Sequence, residues 1–163
     1  MEKETTVDRP NMIQINVGRL KHLEMIQQVI TRMANNSFLI RGWSITILSV
    51  ILVMAVKDGT YAMGYVAVIP VAVFWLLDAF FLRQEKLFRK LYDRYREQPQ
   101  NMPTDFSMDT TVVDKAVSCW CKVMFSKTLF IFHVGLLVLL GIVLLFSHPN
   151  IRDNLLKSFF GGA

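Results

Sequence analysis

Charge and cysteine are both scarce in this 163-residue chain. Asp, Glu, Lys and Arg make up 19% of it, against 53% hydrophobic residues, whereas an ordinary soluble domain carries about 25% charged and about 45–50% apolar. Cysteine is limited to Cys119 and Cys121. Two are too few for a disulfide framework, at i,i+2 on a helix they point apart, and their spacing is not that of a zinc site. A phosphate-cradling glycine loop, HExxH and GxSxG are all missing, so the enzyme classes that these motifs mark find no support, and no cofactor or metal is expected. The opening MEKETTVDRPNMIQ has no apolar stretch behind a basic start. No cleavable signal peptide is expected, and the first apolar segment should stay in the protein as an anchor.

What the chain does have is long apolar runs. The first is Gly42 to Val56, extended forward through Phe38-Leu39-Ile40 and Arg41 to about the 20 residues that cross a hydrocarbon core. Lys57-Asp58-Gly59-Thr60 follows as a tight polar turn. The second run is Tyr61 to Leu82. The third, Thr128 to Phe146, has no ionisable side chain except His133. Each could in principle be a buried core helix, but their length and lack of alternation favour membrane spans. Lys and Arg crowd the stretches before Gly42 and between Arg83 and Lys127, leaving Lys57 in the turn and Arg152 and Lys157 in the tail. By the positive-inside rule the N-terminus and 83–127 are expected in the cytoplasm, with the C-terminus outside. The same rule accounts for the net charge of +5 without nucleic acid.

The segments outside the runs carry their own periodicity. Leu20, Leu23, Ile26, Ile30 and Met33 make one apolar stripe on a helix, and Leu87, Leu91 and Tyr95 repeat the spacing beyond Leu82, flanked by Phe88 and Tyr92. Pro99 should end the second helix. Each stripe prolongs its span by about 18 residues, roughly 27 Å. Two matched stripes suit a helical hairpin projecting from the membrane; the alternative is a pair of interfacial helices lying flat on the inner leaflet. The basic stretch RQEKLFRKLYDRYR has aromatics on its apolar face and acids among its bases, which fits attraction to anionic lipid better than nucleic-acid binding.

The expected fold is therefore an all-α integral membrane protein with three transmembrane helices, the first two extended as a cytoplasmic antiparallel helical hairpin. Its parts are an N-terminal arm (1–17), the hairpin (18–98, with spans 38–56 and 61–82), a cytoplasmic loop and short helix (99–127, the helix over Thr111 to Phe125), the third span (128–146) and an extracytoplasmic tail (147–163). Within the tail, IRDNLLKSFF (Ile151 to Phe160) is weakly amphipathic.

Ionisable groups at membrane depth are expensive and mark candidate sites. Arg41 lies 18 residues before Gly59 and Asp78 lies 19 after it, so an antiparallel pair of helices brings them level. An Arg41–Asp78 ion pair is expected, with satisfaction of two costly charges as its first role and gating or transport as the alternative. His133 lies about two turns into the third span; a proton relay there would need a partner at the same depth, and the sequence identifies no acid for it. Pro70 breaks the second span near its middle. Gly64, Gly135 and Gly141 permit close helix approach without forming a GxxxG pair.

Two motifs carry a resemblance. Ile30 to Trp43 reads IxRMAxNSFxxxGW, continuing a stretch that begins at His22, and Phe74 to Tyr92 reads FWxLDxxxxRxExLFRxLY. Together they resemble the RipA-type family of octameric bacterial inner-membrane proteins over residues 18–98. The resemblance implies a homo-oligomer of eight subunits in a bacterial inner membrane and supplies no catalytic residue. It also points to Glu24, Arg32, Asn35, Asn36, Arg83 and Glu85 as inter-helix or inter-subunit packing positions, with ligand binding as the other reading. Three functions stay open at this point: a non-enzymatic membrane assembly, scaffold or pore; a membrane-disrupting effector of a stress or phage-defence system; and a proton-coupled transporter or membrane enzyme using Arg41, Asp78 and His133.

Overall fold

The computed structural model describes residues 9–58, 61–99 and 105–147. Gly59 and Thr60 of the expected turn, residues 100–104 of the loop and the amphipathic tail segment Ile151 to Phe160 lie outside the described residues. All regular structure among the described residues is helical: α1 (Arg9–Asp58), α2 (Tyr61–Val66), α3 (Val68–Glu97), a 3-10 turn (Thr111–Ala116), α4 (Trp120–Met124) and α5 (Lys127–Ser147). Three helices are long and apolar enough to cross a membrane, and only 22% of the most apolar window of each is buried. A core helix of a soluble protein would hide most of such a window. Here the apolar surface faces outward, as it must when the surrounding solvent is lipid.

The chain divides into two units, and α1 and α3 contribute to both. One comprises 1–35 with 83–118, the other 36–82 with 119–163. In the first, Ile26 and Ile30 of α1 pack with Leu87, Leu91 and Tyr95 of α3 and with Val113 of the 3-10 turn. The two stripes legible in the sequence thus pack against one another. Leu20 is the exception, being 67% exposed. The buried line runs instead through His22, Ile26 and Ile30 at four-residue steps, and Leu20 falls to one side of it.

In the second unit, Leu48, Ala67, Val71, Leu136 and Leu140 form the apolar core, with Ile51, Leu52, Phe132, Leu137 and Leu144 around it. The second apolar run is two helices, α2 and α3, separated at Ala67. Pro70 is the cause. Its ring has no N–H to donate to the carbonyl of Val66 and crowds that group, so the helix breaks four residues upstream and restarts with Pro70 in its first turn, where it is tolerated. Pro10 occupies the first turn of α1 for the same reason. At the other end, α3 stops at Glu97, just before Gln98, which Pro99 keeps out of the helical region. Arg94 and Arg96 in its last turn complement the helix dipole.

The short helix expected over Thr111 to Phe125 is two pieces. A 3-10 turn ends at Ala116, Val117 is extended (φ −115°, ψ 137°) and α4 begins after Cys119. Thr110, Thr111, Val112 and Val113 are all β-branched and yield little helical preference, so packing of Val113 decides the local geometry.

Of the four glycines in the apolar runs, Gly42, Gly64, Gly135 and Gly141, one is at a close contact. A Cβ on Gly64 would fall 2.0 Å from Cδ2 of Leu144, with Cγ and Cδ1 of the same side chain at 2.9 and 3.0 Å, whereas Gly135 and Gly141 have nothing within 4 Å. Gly64→Ala is expected to destabilise the packing of α2 on α5 by about 1–3 kcal/mol through overpacking. Gly135→Ala and Gly141→Ala, with open space for a Cβ inside α5, should be neutral or stabilising by up to about 1 kcal/mol. Thermal melting of the three variants in one detergent checks this.

Candidate functional site

The second unit contains a polar layer inside an otherwise apolar bundle. Ser37, Arg41 and Ser44 recur on one face of α1 at four- and three-residue spacing, so a helix that buries Leu48 also buries them. From α3 come Asp78 and, one turn earlier, Trp75. From α5 come Phe132 and His133. Asp78, at 0% exposure, is the deepest charge, and its two carboxylate oxygens are engaged separately. Ser37 Oγ donates to Oδ1, and Arg41 Nε donates to Oδ2 at 2.8 Å. Arg41 retains 26% of its side-chain surface and sits over the Phe132 ring, 5.7 Å from its centroid. A buried carboxylate with both oxygens bonded is tolerable where a bare one is not.

His133 closes the layer on the α5 side. Its ring stacks on Trp75 (5.5 Å between centroids, 7° between planes). Trp75 is held in turn by donating its indole N–H to the Met124 carbonyl at 3.0 Å. His133 Nδ1 lies 3.0 Å from the Leu129 carbonyl, while Nε2, and also Ser44 Oγ, are buried with no hydrogen-bond partner among the described residues. Asp78 and Arg41 lie within electrostatic reach of the imidazole. The sequence offered no acid for His133; the tertiary structure brings Asp78 within electrostatic reach of it, without a hydrogen bond to Nε2, because the helix bearing Trp75 packs against α5.

The first unit has a separate polar cluster. His22 is buried, donates from Nε2 to the Ser107 carbonyl at 3.0 Å and packs edge-on against the Tyr95 ring at 4.4 Å. Tyr95 Oη donates to Asp105 Oδ1 at 2.9 Å, and the same oxygen accepts from the Ser107 amide at 3.1 Å. Phe106 between them takes a left-handed backbone conformation, φ 53°. That conformation is costly for an aromatic residue and is held here by the flanking bonds and by its contact with His22. Arg19 donates to the Tyr95 and Arg96 carbonyls at 3.0 and 2.6 Å, which satisfies the free end of α3. The Asp105 carboxyl is held below its ordinary 3.8 by the Ser107 amide and then the Tyr95 hydroxyl. The Tyr95 phenol is pushed above 10.0 by burial and then by Asp105.

Among the packing positions, Arg83 pairs with Asp114 at 2.6 Å, and Glu85 with Arg89 at 2.8 Å. Glu24 pairs with Lys21 on its own helix at 3.0 Å. Arg32 and Asn35 are exposed and Asn36 is half-buried. Cys119 and Cys121 are free and exposed. Ser37, Trp75, His22 and the Tyr95–Asp105 bond were not singled out from the sequence. Helical spacing was the available signal for three of them: Ser37 stands four before Arg41, Trp75 three before Asp78, and His22 four before Ile26. No protein-family model, curated protein or solved structure matches the chain.

Removing Arg41 leaves a fully buried carboxylate, whereas removing Asp78 leaves an arginine that still reaches the surface. Arg41→Ala is therefore expected to cost about 3–5 kcal/mol, and Asp78→Ala less. The double exchange Arg41→Asp with Asp78→Arg should recover part of the loss. Equal losses for both alanine variants, with no recovery on exchange, would contradict the pairing. In the first unit a raised phenol retains its proton on folding, so its contribution is complete below pH 10.0 and is lost as pH rises through the folded value. Tyrosinate absorbance should show a step above 10.0 that Tyr95→Phe removes and Asp105→Asn brings down.

Proposed function

We propose that this protein is a non-enzymatic, homo-oligomeric membrane assembly. In this reading the first unit is cytoplasmic, the C-terminus is on the far side, and the membrane is a bacterial inner membrane. The observation that carries the reading is the apolar surface of the first unit, formed by residues outside the apolar runs of the sequence. Val17 (61% exposed), Leu20 and Phe106 lie open along a groove that Gly18, Lys21 and Glu24 complete. In a lone protomer these side chains would face water, at about 25 cal/mol for every Å² of apolar surface. A second copy of the chain covers them, and the adjacent Lys21 and Glu24 supply both signs of charge for a self-complementary rim. The open faces of α5 at Gly135 and Gly141 are further places where another helix can approach closely.

The resemblance to the RipA-type family supports eight subunits. Asp78, Arg41 and Ser37 serve in this reading as the internal pin of each protomer, and Arg83, Glu85 and Arg89 as the ties at the end of the apolar span. The exposed Arg89, Lys90, Arg94 and Arg96 suit contact with anionic lipid headgroups.

The mass of the particle in nanodiscs tests the proposal. Eight copies of an 18.8 kDa chain are expected from the parent, and Leu20→Asp is expected to yield smaller particles with unchanged helix content. A parent that runs as a monomer sinks it. Ion flux into liposomes then separates a pore from a closed scaffold.

A further inference from the structure

The Leu129 carbonyl can only accept a hydrogen bond, so the neutral His133 ring carries its proton on Nδ1. Its Nε2 is therefore a lone pair. That atom is buried, in a residue with no exposed surface, and has no partner among the described residues. Folded proteins leave few buried polar atoms unpaired, and the exceptions call for a chemical account.

The surroundings supply one. From α3, Trp75 stacks on the ring, and Asp78 places a fully buried carboxylate within electrostatic reach. From α1, Arg41 is the other charged group in reach. We infer that His133 Nε2 is a proton-binding site inside the membrane-spanning unit, with Asp78 as the balancing carboxylate and Arg41 as the cation that yields.

The step is a simple addition. A proton from water joins the Nε2 lone pair, no other bond forms or breaks, nothing is oxidised, and the layer gains one positive charge. Two cations then compete for a single buried carboxylate. His133 and Asp78 have no exposed surface and stay in place. Arg41 has 26% of its side chain open and a long flexible stem, so its head can move outward to the membrane boundary. Proton uptake thereby loosens the tie between α1 and α3 and strengthens the one between α3 and α5. A single protomer suffices for this, whatever the subunit number.

Trp75 is a built-in reporter, because a protonated imidazole quenches a stacked indole far more than a neutral one does. The full chain carrying Trp43→Phe and Trp120→Phe, in nanodiscs, would be titrated from about pH 8.5 to about 4.5, bracketing the ordinary histidine value near 6.5. Trp75 emission is expected to fall in one sigmoidal step that disappears in His133→Gln. Arg41→Gln is expected to move the midpoint up by about one pH unit or more, about tenfold in proton affinity. Ring-nitrogen NMR of the parent reads the same event without relying on any variant's fold, with the Nε2 signal of His133 moving from the bare to the protonated position. Constant Trp75 emission together with an unmoved Nε2 signal overturns the site. Quenching that survives in His133→Gln does the same, and an unmoved midpoint in Arg41→Gln removes Arg41 from it.

Discussion

A carboxylate with no exposed surface, set in the middle of three apolar helices, constrains everything around it. Asp78 can be charged there only if its oxygens are bonded, and among the described residues the bonds come from α1: Ser37 on one oxygen and Arg41 on the other. That requirement sets the register of α1 against α3. A slip of one residue along either helix turns each side chain by about 100° and leaves both charges stranded. Non-directional apolar packing would tolerate several registers in lipid, where one aliphatic contact resembles another. The charged pair does not.

The third helix is tied to the same layer by different means. Trp75 sits one turn from Asp78 and stacks on His133, with its indole N–H committed to Met124. Phe132 offers its face to Arg41. An aromatic shell of this kind screens the ion pair from hydrocarbon and also holds an imidazole within electrostatic reach of it. The layer can therefore be read both as the pin that holds the bundle and as a place where one proton changes which helix is pinned. Both readings rest on the same electrostatics.

Away from that layer, ordinary packing takes over. In the first unit the loop after α3 folds back on the helices through Tyr95, Asp105, Ser107 and His22, and it holds Phe106 in a backbone conformation that an aromatic residue adopts only under constraint. The apolar side chains left open beside it, Val17 and Leu20, are the strongest ground for a second copy. A close helix approach occurs where Gly64 meets Leu144, beside the break that Pro70 introduces.

The sequence by itself determined the three apolar helices, since length and uninterrupted apolarity leave no other way to satisfy the backbone in lipid. It also determined the pairing of Arg41 with Asp78 and the two stripes that pack outside the runs, because each follows from helical spacing counted along the chain. Tertiary structure alone decided what surrounds those residues. His133 meets Trp75 and comes within reach of Asp78 only because α5 packs on α3, and no count within one helix can report a neighbour from another. The α2–α3 break follows from Pro70 itself, whereas the split of 111–125 into two short pieces and the contact that singles out Gly64 from Gly135 and Gly141 were decided in the tertiary structure as well. Local propensities at these points are weak or shared, and the packing partner makes the choice.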